Sequence, residues 1–296
     1  MDAASRRDFI AGGAAVAVPM MASAKAGAKP LPVRGGLLAG KVAVVYGAAG
    51  AMGSAVSRAF AREGAHVELA GRTLEKVQAL ASEIAEAGGS AAASQVDARD
   101  PESIAKHLDA VAAAHARVDI SFNLIGTDGP QGDSLISMSV QDVVGPVEGA
   151  VRTHLLTATA AARHMARQHA GVILALTAQV ARKPYTGSGG FGVACAAIEG
   201  LCRQLAVDLG GDGIRVITLR SSGSPDAPGV SAAISEHAKL AGVLRDVFEA
   251  RIAEKTMLKR MPKMAEVASA AVLMASDRAS AITAAVTNLT CGEIAD

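Results

Sequence analysis

The chain of 296 residues has no tryptophan, two tyrosines and five phenylalanines, which leaves few aromatic platforms on which unpaired bases could stack. An excess of one charge is missing too. Its 29 basic and 28 acidic side chains give a formal net charge of +1, and no basic stripe is present to neutralise a phosphate backbone. A dedicated nucleic-acid surface is therefore excluded. Three cysteines, Cys195, Cys202 and Cys291, cannot build a framework of bridges. Cys195 and Cys202 fall on one predicted helix, about 10 Å apart along its axis and beyond disulfide reach, and read as small buried hydrophobes. The seven histidines show no pairing on one helix face of the kind zinc sites use, so no metal is expected. What is abundant is apolar: half of the residues are hydrophobic and 19% are charged, enough to bury a sizeable core without disulfides or metals.

At the amino end, Ser5-Arg6-Arg7-Asp8-Phe9 leads into an apolar run from Ile10 to Met21 and then Ala22-Ser23-Ala24. A charged start, a short apolar stretch and an A-x-A site predict an export signal over residues 1–26, and the paired arginines resemble the twin-arginine type. The run falls short of the roughly 20 residues needed to span a bilayer, so no membrane span is expected. The expected destination is the bacterial periplasm, and the twin-arginine resemblance implies export of a folded protein with its cofactor inside. Residues 27–39, with Pro30, Pro32, Gly35 and Gly36, read as a linker.

From residue 40 onward, short β-branched runs alternate with longer alanine-rich segments. Runs at 42–46, 66–70, 118–122, 172–176 and 214–218 read as buried parallel strands, and the stretches 52–63, 74–87, 101–115, 150–168 and 190–210 read as helices. Strict alternation implies one parallel sheet covered on both faces by right-handed crossovers. The predicted fold is a doubly wound α/β domain of Rossmann type over residues 40–296. Such sheets bind ligands outside the carboxyl ends of the strands, where strand order reverses.

The first strand runs into Gly47-Ala48-Ala49-Gly50-Ala51-Met52-Gly53 and then a helix. Glycines there allow a tight turn and a close approach to a pyrophosphate, whose charge meets the free N–H groups of the helix start. The bland alternative is a tight turn packed closely with no ligand. At the end of the second strand stands Gly71-Arg72. An acidic residue at position 71 would favour NAD and repel a 2′-phosphate, whereas the Arg72 guanidinium can pair with that phosphate. NADP(H) is therefore the expected cofactor; the alternative is a solvated arginine at a strand end.

The glycine spacing resembles that of the short-chain dehydrogenase/reductase family, as do later landmarks in the same order. These are Val96-Asp97 after the third strand, Asn123-Leu124-Ile125-Gly126 after the fourth, Gly213-Ile214-Arg215-Val216, and a closing strand from Val286 to Gly292. The resemblance covers nearly all of residues 40–292. It implies a dinucleotide held by Gly47, Gly50, Met52, Gly53, Arg72, Asp97, Asn123 and Gly126. Members of the family use an Asn, a Ser and a Tyr-x-x-x-Lys, in which tyrosine moves a proton as hydride transfers. Placed on this sequence, those four positions hold Ala150, Ala178, Phe191 and Cys195. Phenylalanine has no acidic hydrogen and cannot act as general acid or base, and cysteine lacks the charge and reach of lysine. Ser221-Ser222-Gly223 also replaces the Pro-Gly element that usually follows the sixth strand.

Other groups near these positions could supply a proton: His154, one helical turn past Ala150, Thr177, and the loop residues Lys183, Tyr185 and Ser188. Each has a structural alternative, His154 as a core histidine and Tyr185 as a packing ring. Cys195 could act as a nucleophile if a base lowered its pKa, and otherwise fills the core. Three functions follow. The first is an NADP(H)-dependent oxidoreductase without the usual relay. The second is a non-catalytic nucleotide-binding or scaffold pseudoenzyme, and the third a lyase or isomerase in the inherited pocket. Helices 150–168 and 190–210 correspond to those through which members of the family assemble, and their small residues permit close packing, so the resemblance implies a homo-oligomer; a small-molecule substrate is expected.

Overall fold

The run Val42–Tyr46 (β1) is apolar on both its faces, so neither can be left in water, and all five residues are buried at the middle of a sheet. The structure is a computed structural model that describes residues 35–127 and 129–296; the expected export signal and most of the linker lie outside the described residues. In chain order the elements are β1, α1 (Ala51–Arg62), β2 (His66–Gly71), α2 (Leu74–Glu86), β3 (Ser90–Gln95), α3 (Pro101–His115), β4 (Ile120–Asn123), α4 (Val140–Gln168), β5 (Gly171–Ala178), α5 (Gly189–Leu209), β6 (Ile214–Ser221), α6 (Pro228–Leu240), α7 (Arg245–Glu254), α8 (Met264–Ala275) and β7 (Ala285–Leu289).

All strand pairs are parallel, in the order β3-β2-β1-β4-β5-β6-β7. Order therefore reverses between β1 and β4, the place at whose carboxyl ends doubly wound sheets bind ligands. The period of two along each strand divides the core. Ala43 and Val45 of β1 and Val67 and Leu69 of β2 face α1, α2 and α8. Val42, Val44, Tyr46 and Ala70 face α3, α4 and α5. Each fully buried Val, Leu or Ile contributes on the order of 1.5–3 kcal/mol, so this two-sided burial is the main driving force of the fold. Helix α5 is long and apolar enough by composition to cross a bilayer, yet here it is a core helix packed on α4 and β6.

Several boundaries differ from the sequence reading, four of them with a clear cause. The domain starts earlier than residue 40: Leu38 is fully buried, and the backbones of Leu37 and Leu38 donate to the Glu63 side chain and carbonyl at 2.7 and 2.9 Å. Helix α4 begins at Val140, not 150, because Ser139 caps it by accepting from the Asp142 N–H and Pro146, which reads as a breaker, is carried inside it. Strand β4 begins at Ile120, not Val118, because the Gln168 amide takes both the Val118 N–H and carbonyl, at 2.8 and 3.0 Å. Strand β7 stops at Leu289, since Cys291 and Gly292 turn the chain with φ of 52° and 78°.

Candidate functional site

The β1–α1 turn is shaped by contacts that leave no room for side chains. Gly47 has φ +71°, and a Cβ there would lie 2.7 Å from the Leu124 carbonyl oxygen. A Cβ on Gly53 would fall 2.2 Å from the Gly47 oxygen. Packing alone thus accounts for two of the three glycines. Gly50 is different: it caps α1 with no side-chain hydrogen bond, and no acidic residue stands in the first turn. The N–H groups of Ala51, Met52 and Gly53 precede the first intrahelical bond, Ser54 to Gly50 at 2.8 Å, and have no acceptor among the described residues. Uncapped amides at a helix start form a ready anion site.

Beside this turn the ends of β2 and β3 are tied together by the Val96 N–H donating to Gly71 at 3.0 Å and the Gln95 amide donating to the Arg72 carbonyl at 3.0 Å. The Arg72 guanidinium is exposed and has no acidic partner among the described residues. Asp97 is fixed by its N–H donating to Ser103 Oγ and its Oδ1 accepting from the Arg99 N–H at 2.9 Å. Gly126 is exposed, with open space where a Cβ would stand. Gly47, Gly50, Met52, Gly53, Arg72, Asp97 and Gly126 therefore gather along one edge. Asn123 sits there too, but its side chain is spent internally. It donates to Thr157 Oγ1 at 3.2 Å and accepts from the Ile125 N–H at 3.0 Å, bracing the exit of β4.

The four positions that the resemblance matches to the family's catalytic set lie on α4, β5 and α5. Ala150 is buried on α4, Ala178 ends β5, and Phe191 and Cys195 lie one turn apart on α5. The Cys195 thiol bonds to the Ala178 backbone, but burial pushes its pKa up to about 11, so it stays protonated and is no nucleophile. The chain after β4 folds over the start of α5. Gly132 donates to Gly187 at 2.8 Å, and a Cβ on Gly189 would lie 2.8 Å from the Pro130 oxygen.

Three of the five alternative proton donors, His154, Thr177 and Lys183, are engaged in contacts of their own. His154 is buried, its Nδ1 meets the Ala150 carbonyl at 2.8 Å, and burial lowers its pKa to about 4. Its Nε2 is buried without a hydrogen-bond partner among the described residues, and the ring lines a small cavity of about 10 Å³ between α4, β4, β5 and α5. Thr177 donates to Glu199 Oε1 at 3.0 Å. Lys183 pairs with Glu293 at 3.5 Å. Tyr185 is exposed, and Ser188 is buried at the start of α5 without capping it.

Glu199, Arg220 and Asp296 were not anticipated. Arg220 donates twice to Glu199, at 2.8 Å each, and once to Asp296 at 2.6 Å. The Glu199 carboxylate raises the Arg220 pKa further. This buried pair lies under Thr177 and joins α5, β5, β6 and the last residue. A charge within the apolar stretches 197–201 and 216–220 was the available signal, since buried charges come in pairs.

Residues 47–292 match the family described as Enoyl-(Acyl carrier protein) reductase. An uncharacterized oxidoreductase of Mycobacterium tuberculosis is 30% identical over 82% of this chain and 88% of its own. The 7alpha-hydroxysteroid dehydrogenase of Escherichia coli is 26% identical over 87% and 95%. Among solved structures, sorbitol-6-phosphate 2-dehydrogenase of Erwinia amylovora superposes with a TM-score of 0.80 at 23% identity, covering 86% of this chain and all of that one. An NAD+-bound xylitol dehydrogenase does so with 0.80 at 21%, covering 86% and 99%.

Proposed function

The chain belongs to the short-chain dehydrogenase/reductase family, and from that premise we propose that it is an NADP(H)-dependent oxidoreductase working without the family's tyrosine–lysine relay. The observation that carries the reading is the uncapped start of α1 beside the unpaired Arg72. The amides of Ala51, Met52 and Gly53 would hold the pyrophosphate and Arg72 the 2′-phosphate, with Asp97 at the adenine end. When bound, the nicotinamide supplies or accepts hydride. Phe191 offers a ring surface but no proton, and Cys195 offers no charge. An acceptor activated for hydride attack would therefore take its proton from water.

A second reading, nucleotide binding without turnover, is favoured by one observation: the chain around Pro130–Gly132 rests on the start of α5, where Phe191 lies. Fluorescence titration with NADPH and NADH tests both readings. Binding of NADPH with consumption of a reducible small molecule supports the first, and binding with no turnover supports the second. No binding of either nucleotide at near-millimolar concentration defeats both.

Two further expectations accompany this reading. Leu155 on α4 and Val193 and Val207 on α5 are exposed on helices that pack against each other, which supports a homo-oligomer formed through this pair. The paired arginines Arg6-Arg7 support export of the folded chain to the periplasm, where precursor processing near residue 26 is the outcome to look for.

A further inference from the structure

Away from the crevice, at the amino end of β2, the side chains of His66 and Glu68 point to the same side of the sheet as Ala70, toward α3. His66 Nε2 lies 3.1 Å from Glu68 Oε1. His115, in the last turn of α3, brings its own Nε2 to 3.1 Å from that same oxygen. The two rings stand 4.2 Å apart, and the three facing atoms all lie within 4.8 Å of one another. Ser90 Oγ, 2.7 Å from His66 Nδ1, engages the other nitrogen of that ring and turns Nε2 inward. His107 adds an independent sign. It is 7% exposed, neither ring nitrogen has a hydrogen-bond partner, and its Nε2 stops 3.8 Å from Glu68 Oε2.

We propose that His66, Glu68 and His115 form a binding site for a divalent transition-metal ion of the zinc type. Two imidazole nitrogens and one carboxylate oxygen suit such an ion, which takes these ligands at about 2.0–2.1 Å in tetrahedral geometry. Tetrahedral bonds of that length set neighbouring ligands about 3.3 Å apart, close to the observed 3.1 Å separations. As hydrogen bonds these contacts put two ring nitrogens on a single carboxylate oxygen, and the same arrangement accepts a shared cation once the two N–H protons are released. His66 and His115 keep 22% and 28% of their side chains exposed, an entry path and a place for water as fourth ligand. His107 is the positioning residue: a small swing of Glu68 toward the ion would bring Oε2 within reach of its ring, as outer-shell partners orient first ligands.

Five residues of strand, roughly 17 Å, separate His66 from Gly71 at the nucleotide edge. The ion would clamp the end of α3 to β2 and take no part in hydride transfer, so the site stands or falls independently of the cofactor.

The test is Zn²⁺ titration of the full chain, freed of metal by chelator and monitored by competition with a chromophoric chelator. One ion per chain is expected, with Tm raised by roughly 5–10 °C at a hundredfold excess over Kd. His66→Gln and His115→Gln should each abolish both effects. His107→Gln should weaken binding about 10–100-fold, and His169→Asn, at an exposed histidine outside the cluster, should change nothing. Co²⁺ added to the wild-type chain should give the strong visible absorption of tetrahedral coordination, a readout that needs no variant to fold. Less than one ion bound, an octahedral Co²⁺ spectrum, or unchanged Zn²⁺ binding in His66→Gln and His115→Gln would overturn the site.

Discussion

Replacing Arg72 with alanine isolates the claim on NADP(H). The guanidinium is exposed and, among the described residues, has no ion pair to break, so folding stability should change by no more than about 0.5 kcal/mol. A hydrogen bond to a charged group contributes about 1.5–3 kcal/mol. At an exposed site the lower end applies, since water and salt screen it. About 1.4 kcal/mol is tenfold in affinity. Arg72→Ala should therefore weaken NADPH roughly tenfold and leave NADH unchanged, because NADH carries no phosphate at that place. The assay is fluorescence titration with both nucleotides at low and high salt, where the wild-type preference should shrink as salt rises. Equal weakening of the two nucleotides, or a wild-type preference for NADH, would refute the assignment of Arg72. The reverse change, Gly71→Asp, is a less clean probe: a Cβ at position 71 would lie 2.9 Å from Val77 Cγ1 and would disturb α2 as well.

The remaining predictions concern proton supply, packing and buried charge. The double variant Phe191→Tyr with Cys195→Lys should gain carbonyl reduction by about 10²-fold or more, the usual reach of a positioned general acid, at a stability cost of roughly 1–3 kcal/mol from overpacking. A folded, NADPH-binding double variant with no gain would mean that the nicotinamide half is closed. Gly53→Ala, whose Cβ meets the Gly47 carbonyl at 2.2 Å, should cost about 1–3 kcal/mol and impair nucleotide binding, read by thermal melting and titration. Glu199→Gln leaves the buried Arg220 short of a counter-charge and should cost about 3 kcal/mol, lowering Tm by roughly 6–12 °C. Asp296→Asn, at a half-exposed partner, should cost under about 1 kcal/mol; equal effects would show that Glu199 is not the main partner. His154, with its pKa lowered from 6.5 to about 4 by burial, binds its proton more readily in the unfolded chain. Stability should therefore fall as pH drops below 6.5, by about 2 kcal/mol at pH 5. Urea midpoints at pH 7.5 and 5 should show a smaller drop in His154→Gln.

The architecture and the glycine turn after β1 were legible along the chain because their causes are local. A β-branched run of five predicts a buried parallel strand wherever it stands, and Gly47, Gly50 and Gly53 report a backbone geometry within seven residues. Phe191 and Cys195 could be read for the same reason, since the chemistry a residue lacks needs no neighbour to establish. Boundaries failed where a distant group intervened: Gln168 capturing Val118, and α4 continuing through Pro146 from Ser139. Metal-ligand spacing is legible on a single helix face, yet His66 and Glu68 are neighbours two apart on a strand, and His115 joins them from another element. No local pattern contains such a set.

The sequence by itself determined the alternation of strands and helices as far as β6 and the glycine turn, because each rests on propensity, period or the chemistry of one residue. Only the tertiary structure decided which side chains meet. It made His154 a neutral core histidine, committed Asn123 to Thr157, paired Glu199 with Arg220 and gathered two histidines on one oxygen of Glu68. Those outcomes depend on burial and on contacts between residues far apart in the chain, which exist only once the sheet has brought its helices together.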